Sequence, residues 1–261
     1  RKVKSIFFVR SKVDLLEMRK LLVKDFNIKR GDNIIITSSF GNLNSSFSPN
    51  DLINLLQEIV GGEGNIVMPY YSGNSYELAK KKIAFNMKET PSAMGVLTQV
   101  FSESENVYKS IHPTKSVVAW GHNAKEIIKN HEKSKTPYDF NSPYAWLYMN
   151  GSKSIGLGVK SLPMFHFCED ALFLNKLNLY LDSKLMKVVD YNGKIINVKT
   201  KIHNPKVIRL LMDIGDYVKR NKPKSYLRKK TGYGFSYVID NNELYNFCKE
   251  EFHNNNFRFK K

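Results

Sequence analysis

Apolar residues recur at helical spacing in "KVDLLEMRKLLVKDFNI", where Leu15, Met18, Leu22 and Phe26 fall on one face. Gly31-Asp32 ends that pattern. "NIIIT" follows, a β-branched run of the kind carried by a strand buried on both faces. "SPNDLINLLQEIVGGEG" predicts a helix with Ser48 as N-cap and Pro49 at its first position. Leu52, Leu55, Leu56 and Ile59 form its apolar stripe, and Gly61-Gly62 stops it. "NIVMPY" reads as a second strand, closed at Pro69. "SAMGVLTQVF" predicts a helix, "SVVAWG" a strand and "NAKEIIKNH" another helix. Ser142 and Pro143 open a helix over "SPYAWLYMN". "SIGLGV" is the next strand and "MFHFCEDALFLNKL" the next helix.

Strands buried on both faces and alternating with helices indicate an α/β layered fold. Past residue 185 the pattern changes. Asn192-Gly193 lies between two β-prone runs and predicts a hairpin. A helix near 205–221 and the basic stretch "KRNKPKSYLRKK" follow, and "GFSYVID" and "NNELYNFCKEEF" close the chain as strand and helix. Neither a linker nor a repeat divides the sequence. The expectation is one domain over 1–261, with the hairpin and basic segment, about 186–231, added late.

Composition narrows the class. A chain of 261 residues with 42% hydrophobic content can bury a substantial core. No apolar run reaches the roughly 18 residues that suggest a membrane span. The N-terminal stretch, cut by Arg10 and Lys12, lacks the pattern of a signal peptide. Cys168 and Cys248 are far apart in sequence and form neither a disulfide framework nor a zinc pattern. A cytoplasmic protein without a metal is expected.

The formal charge of +17 is unevenly spread: residues 1–31 carry +7, residues 199–231 carry +9, and the remainder +1. Such clustering points to an anionic partner: a nucleotide, a polyphosphate, nucleic acid or a membrane surface. The plain alternative is the bias of a chain rich in Lys, Asn and Ile. With no recognition helix, zinc finger or RNP-like motif, nucleic acid is the disfavoured partner.

Three segments carry candidate chemistry. "TSSFGNLN", Thr37 to Asn44, puts hydroxyls and a glycine after a strand, where α/β folds bind ligands; the plain alternative is a Ser/Asn turn. "KSIHPTKSVVAWG" places Lys109, His112 and Ser116 just before a strand, with His112-Pro113 as a rigid turn. "SLPMFHFCEDALF" places His166 and Glu169 at i and i+3 at a helix start, so that both lie on one face. There the carboxylate can accept from one ring nitrogen and leave the other as a base. The alternative is a structural pair, with Glu169 favoured by the helix N-terminus. Phe165, Phe167 and Leu172 make the segment apolar and argue for partial desolvation, where such pairs become reactive. The sequence has no G-x-S-x-G, no H-E-x-x-H and no spaced Cys/His set. A base without a protein nucleophile favours direct transfer, in which the substrate attacks.

Taken in order, "GDNIIITSSFGNL", "GGEGNIVMPYY", "SAMGVLTQVF", "SIHPTKSVVAWGHNAKEI", "SPYAWLYMNGSKSIGLGV" and "FHFCED" resemble the aminoglycoside 3-N-acetyltransferase family, over about residues 14–175. The resemblance implies a three-layer α/β/α sandwich with a mixed central sheet, unlike the GNAT acetyltransferase fold. It implies acetyl-coenzyme A as donor and a primary amine, usually on an aminosugar, as acceptor. The family's H-x-x-E motif falls on His166 and Glu169. Its serine-rich donor loop falls on Ser38 and Ser39, with Thr37 where the family often has His. Its R-S-x-H-P-x-x-S element falls on Lys109, Ser110, His112, Pro113 and Ser116, with Lys109 replacing Arg. Tyr70, Tyr71, Asp139 and Asp170 are expected on the acceptor. The clustered positive charge favours an anionic, nucleotide-linked aminosugar from biosynthesis over an aminoglycoside antibiotic. A non-catalytic CoA- or polyanion-binding protein is the alternative from another class.

Overall fold

The computed structural model describes residues 12–173, 178–206, 208–209, 218, 223–254 and 259–260. The elements in chain order begin with α1 (Leu15–Lys20), which continues as a π-turn over Leu21–Asp25. Then come β1 (Asn33–Ser38), α2 (Phe40–Leu43), α3 (Pro49–Val60), β2 (Asn65–Tyr71), α4 (Ser75–Lys80), β3 (Phe85–Asn86) and α5 (Val96–Ser102). They are followed by β4 (Tyr108–Lys109), β5 (Lys115–Gly121), α6 (Ala124–Ile128), a 3-10 turn at His131–Lys133, α7 (Pro143–Met149), β6 (Lys153–Leu157) and α8 (Met164–Phe173). The last are β7 (Tyr180–Val189), β8 (Ile195–His203), β9 (Ile208–Arg209), β10 (Leu227–Thr231), β11 (Gly234–Asp240), α9 (Asn241–His253) and β12 (Phe259–Lys260). Most of the helix expected near 205–221 lies outside the described residues, as do residues 1–11 of the basic N-terminal segment.

A seven-stranded sheet in the order β10-β11-β6-β1-β2-β5-β4 forms the centre. β1 runs parallel to β2 and β6, and the outer pairings are antiparallel. The alternation of side chains along β1 explains its unbroken isoleucine run. Ile34 and Ile36 pack into a core with Met18, Leu22, Leu52, Leu56, Leu97 and Phe101. Ile35 packs into a second core with Ile127, Tyr144, Leu147, Phe167 and Leu244. Each strand residue thus faces one helical layer or the other, which makes the mixed three-layer α/β/α sandwich expected from the sequence.

Local signals act where the sequence places them. Ser48 caps α3 by a reciprocal box with Asp51, and Ser142 caps α7 with Pro143 at its first position. Met18, Leu22 and Phe26 are buried, whereas Leu15 at the start of its helix is 38% exposed. Two boundaries differ from expectation. β2 runs through Pro69 to Tyr71, because its ladder with β1 ends at Val67 while pairing with β5 continues on the other edge. α5 begins only at Val96, since Gly95 has φ 97 and cannot belong to a right-handed helix.

The late hairpin, β7–β8, joins β3 in a separate three-stranded sheet. Its turn runs from Asp190 to Lys194, with Gly193 at φ 80 and the Asp190 carboxylate accepting from Asn192 N and Lys194 N. Met186, Val188 and Val198 are buried, and the two valines join the same core as Ile34.

A pair of buried imidazoles binds this hairpin to the main sheet. His112 and His131 stack with centroids 4.6 Å apart. His112 Nδ1 accepts from the backbone of Thr114 and Lys115, and Nε2 faces the hydroxyl of Thr200 on β8 at 3.3 Å. His131 Nε2 donates to Pro137 O at 3.1 Å, and Nδ1 accepts from Ser110 Oγ at 2.8 Å. These bonds fix both rings in the neutral form. Burial pushes His131 from 6.5 down to about 4, and pushes His112 well below its ordinary value, with His131 and Lys115 adding to the effect.

The sign of the linkage follows. A base with a lowered folded pKa binds fewer protons in the native state, so its contribution is whole above pH 6.5 and is lost as pH falls toward 4. For His131 this amounts to about 3 kcal/mol. Asp170 acts in the opposite direction. Burial raises it from 3.8 to about 6, so it adds stability as pH falls through that window. Two imidazoles outweigh one carboxyl. The midpoint of thermal unfolding is therefore expected to fall between pH 6.5 and 4, and to fall more steeply in Asp170→Asn. A flat profile in the wild-type protein would show that the stacked rings are not held neutral.

A second prediction concerns Gly156 on β6. A Cβ there would lie 2.0 Å from the ring of Tyr237, its cross-strand partner on β11. The ring cannot yield readily, because its hydroxyl donates to Ser161 O. Gly156→Ala should cost about 2 kcal/mol or more, read as a lowered denaturant midpoint.

Candidate active site

The C-terminal ends of the parallel strands β1, β2 and β6 come together at one edge of the sheet, the place where open α/β sheets form ligand crevices. Ser39 N donates to Leu157 O at 2.9 Å and ties the end of β1 to the end of β6. Gly158 turns the chain at φ 70, with a Cβ position only 2.8 Å from Ser39 O, so the two loops meet backbone to backbone. Thr37 Oγ1 and Tyr237 Oη both donate to Ser161 O and hold the loop that enters α8. Thr37 is buried. Ser38 and Ser39 are half-buried, and their hydroxyls make no hydrogen bond to another described residue.

α8 starts one residue after Pro163, with Phe165 N and His166 N bonded back to Leu162 O and Pro163 O. Phe165, Phe167 and Cys168 are sealed into the second core. His166 Nδ1 lies 2.9 Å from Glu169 Oε2. The glutamate side chain is 3% exposed and the histidine 24%. A buried carboxylate draws the ring proton to Nδ1, and that tautomer puts the lone pair on Nε2.

Around this pair lie five rings, from β2, the loop before α7, α7, β7 and β8. Tyr138 stacks on His166 with centroids 5.1 Å apart and planes at 23°. Its hydroxyl meets Tyr71 Oη at 3.1 Å, and Tyr71 meets Tyr144 Oη at 3.1 Å. Burial pushes the Tyr138 and Tyr144 phenols well up, so both stay neutral donors. His203, the last residue of β8, has its ring centroid 5.3 Å from that of His166 and stacks on Tyr180 at 4.9 Å and 6°. Asp170 faces inward and is 4% exposed. Burial raises its pKa to about 6. The Tyr180 and Thr136 hydroxyls and Lys201 offset this, while Asp139 adds to it. The Asp139 carboxylate accepts from Lys135 N and Asn141 N within its own loop, at 2.6 and 2.9 Å.

The structure therefore brings together His166, Glu169, Asp170, Asp139 and Tyr71, with Thr37, Ser38 and Ser39 at the adjoining strand end. Four other expected residues take different places. Lys109 Nζ donates to Met87 O at 2.8 Å and lies 3.7 Å over the Tyr70 ring. Burial lowers its pKa to about 8. Tyr70 Oη donates to Thr90 O at 2.8 Å, so this pair pins the loop before α5. His112 is fully buried against His131, and Ser116 Oγ donates to Ser110 O. These polar groups bond to the protein's own backbone and side chains. Conversely, the sequence reading did not single out Tyr138, Tyr180 or His203. Only the histidine at the end of a β-prone run hinted at the last.

Among the described residues no helix is long and apolar enough to cross a membrane. The family model for aminoglycoside 3-N-acetyltransferase matches residues 35–253. The chain is 29% identical over 192 residues to the SPbeta prophage-derived aminoglycoside N(3')-acetyltransferase-like protein YokD of Bacillus subtilis (strain 168), covering 64% of this chain and 67% of the relative. The crystal structure of YokD aligns with a TM-score of 0.73 at 22% identity over 90% of this chain and 91% of that one. AAC-VIa bound to sisomicin aligns at 0.76 and 20% identity, covering 94% and 99%. AAC-IIIb in a binary complex with CoASH aligns at 0.75 and 16%, covering 94% and 98%. These structures share the three-layer sandwich, which is distinct from the GNAT fold. With a family model spanning most of its length and the fold to match, the chain belongs to the aminoglycoside 3-N-acetyltransferase family.

Proposed function

We propose that this protein transfers the acetyl group of acetyl-CoA to a primary amine of an aminosugar, with His166 as general base and Glu169 as its orienting partner. The observation that carries this reading is the 2.9 Å Nδ1–carboxylate contact, with its carboxylate buried and its imidazole partly open, beside the edge where three parallel strands end. Nε2 takes a proton from the acceptor nitrogen as the C–N bond forms. The nitrogen attacks the thioester carbonyl, and the hydroxyls of Ser38 and Ser39 with nearby N–H groups supply donors for the thioester and the developing oxyanion. The match to AAC-IIIb, whose structure contains CoASH, supports the donor. Dependence on acetyl-CoA implies a cytoplasmic location. The same reading treats 1–261 as one catalytic domain, since the valines of the hairpin enter the core of the main sheet.

The charge around His166 bears on the acceptor. Glu169, Asp170 and Asp139 gather there against Lys201. The net charge of +17 is a sum over the whole chain, and Lys201 is the member of the 199–231 cluster that acts on Asp170. Charges farther than a Debye length, about 8 Å at physiological salt, are largely screened, so the local carboxylates outweigh the global sum. A cationic aminoglycoside-type amine is therefore the leading acceptor, in line with the sisomicin complex of a structural neighbour. The clustered positive charge sustains the second reading, a nucleotide-linked aminosugar.

Thiol release from acetyl-CoA should require an amine acceptor and fall about 10²- to 10⁴-fold in His166→Ala, as expected for loss of a general base. Glu169→Gln should lose roughly 10- to 100-fold, because the amide can still contact the ring but cannot support the imidazolium. Full turnover in His166→Ala would remove the base assignment, and a wild-type protein that binds CoA without turnover would be a binding protein. For the acceptor, kcat/KM on a 2-deoxystreptamine aminoglycoside is expected to exceed that on a nucleotide-diphospho-aminosugar; the reverse order would establish the biosynthetic reading.

A further inference from the structure

We propose that His203 is a second catalytic base of this site, assigned to the first of the two protons that leave the acceptor nitrogen. The inference rests on the acetyltransferase reading above. Its chemical ground is the proton balance of the reaction. A primary amine arrives as R–NH3+ and must lose one proton to become a nucleophile. Its nitrogen then forms the C–N bond, the C–S bond breaks, and a second proton passes from nitrogen to the thiolate. The products are the amide, the thiol and one proton. His166, with Nδ1 on Glu169, has a single lone pair and carries one proton at a time. One imidazole serving both transfers must discharge to water between them.

The fold places another imidazole where it can share that work. The centroid of His203 is 5.3 Å from that of His166, with the planes at 49°. At that separation one acceptor nitrogen can come within hydrogen-bond reach, about 3 Å, of both rings. His203 is partly exposed, as His166 is, whereas Tyr138 and Tyr180 are buried. The two imidazoles are thus the rings of this cluster that meet solvent. The arrangement is also held firmly. His203 stacks on Tyr180 at 6° and is flanked by Tyr138 at 5.8 Å. Its strand is tied down by Lys201 N to Lys135 O and by Thr200 to His112.

The charged and titratable neighbours are consistent with an imidazolium forming there. α8 contributes His166, Glu169 and Asp170, the 134–142 loop contributes Tyr138 and Asp139, β7 contributes Tyr180, and β8 itself contributes Lys201. Among the described residues, Glu169, Asp170, Asp139 and Lys201 are the charged groups acting on Tyr180 and Asp170 beside the ring. The proton accepted by His203 passes to water at the exposed edge of the hairpin, while His166 keeps the transfer from nitrogen to sulfur.

The test compares wild type, His203→Phe and His203→Gln in thiol release with acetyl-CoA and an aminoglycoside acceptor, from pH 6.5 to 9. Phenylalanine keeps the stack on Tyr180, glutamine keeps a polar side chain, and neither carries a proton. At pH 6.5, where the acceptor is an ammonium ion, both variants should lose about 10- to 100-fold in kcat/KM, within the range of general-base effects. At pH 9, where much of the amine is already neutral, the loss should shrink to roughly threefold or less. His166→Ala should lose activity at both pH values. An equal loss at both pH values, restoration by glutamine, or no loss in either variant would overturn the proposal, and melting curves identify a variant whose loss is unfolding. If the wild-type protein acetylates no amine, the acetyltransferase reading falls and takes the second base with it. If the wild type is active and the variants lack the pH-dependent loss, only the role of His203 falls.

Discussion

A carboxylate that is 3% exposed must find a donor, and Glu169 finds it in the imidazole one helical turn away. Leaving that charge unpaired in a nonpolar interior would cost several kcal/mol, on the order of the whole stability of a domain. The pair is therefore a structural necessity as well as a chemical device. It also sets requirements on everything around it. α8 has to be held at fixed depth, which Phe165, Phe167 and Cys168 do by filling the second core. The loop that enters α8 has to arrive at a fixed angle, which Ser161 O secures by accepting from Thr37 and Tyr237. Gly156 on β6 leaves room for the Tyr237 ring that makes this possible.

Much of this was legible in the sequence, and the reason is locality. The isoleucine run of β1, the Ser48 and Ser142 caps and the i,i+3 spacing of His166 and Glu169 are each written within a few residues. Such features depend on backbone periodicity that no distant contact has to supply. Boundaries set by neighbours were less readable. Pro69 does not end β2, because pairing with β1 on that edge ends at Val67 while pairing with β5 on the other edge continues to Tyr71. Cys168 and Cys248, separated by most of the C-terminal third, come together between α8 and α9 as free buried thiols, with the neighbouring Cys168 among the causes that raise Cys248.

The segment "KSIHPTKS" shows the limit of motif reading. Its residue types suit phosphate or amide binding, and its position before a strand suits a ligand loop. In the fold these groups are buried and bond internally. Lys109 pins a loop over Tyr70, and His112 and Ser116 satisfy backbone and side-chain groups of the sheet and the hairpin. Residue chemistry was right about hydrogen-bonding capacity but silent on which side of the surface it would be spent. His203, Tyr138 and Tyr180 present the converse. They lie on three segments with no shared local pattern, and only the fold makes them neighbours.

Those two findings meet in one chain of contacts. Thr200 on the hairpin faces His112, which stacks on His131, which donates to Pro137 O, and the next residue, Tyr138, stacks on His166. Lys201 N, adjacent to Thr200, bonds to Lys135 O in the same loop, so hairpin and loop are joined twice. The ring of His166 thus rests on a tyrosine whose loop is fixed by two buried neutral imidazoles, while the hairpin those imidazoles hold carries His203 to the same ring. A buried histidine is costly when charged and unselective as a mere filler. As a neutral donor and acceptor with two fixed directions it can clamp two backbone segments at once. His112 is part of the brace that lets the late hairpin share in building the site.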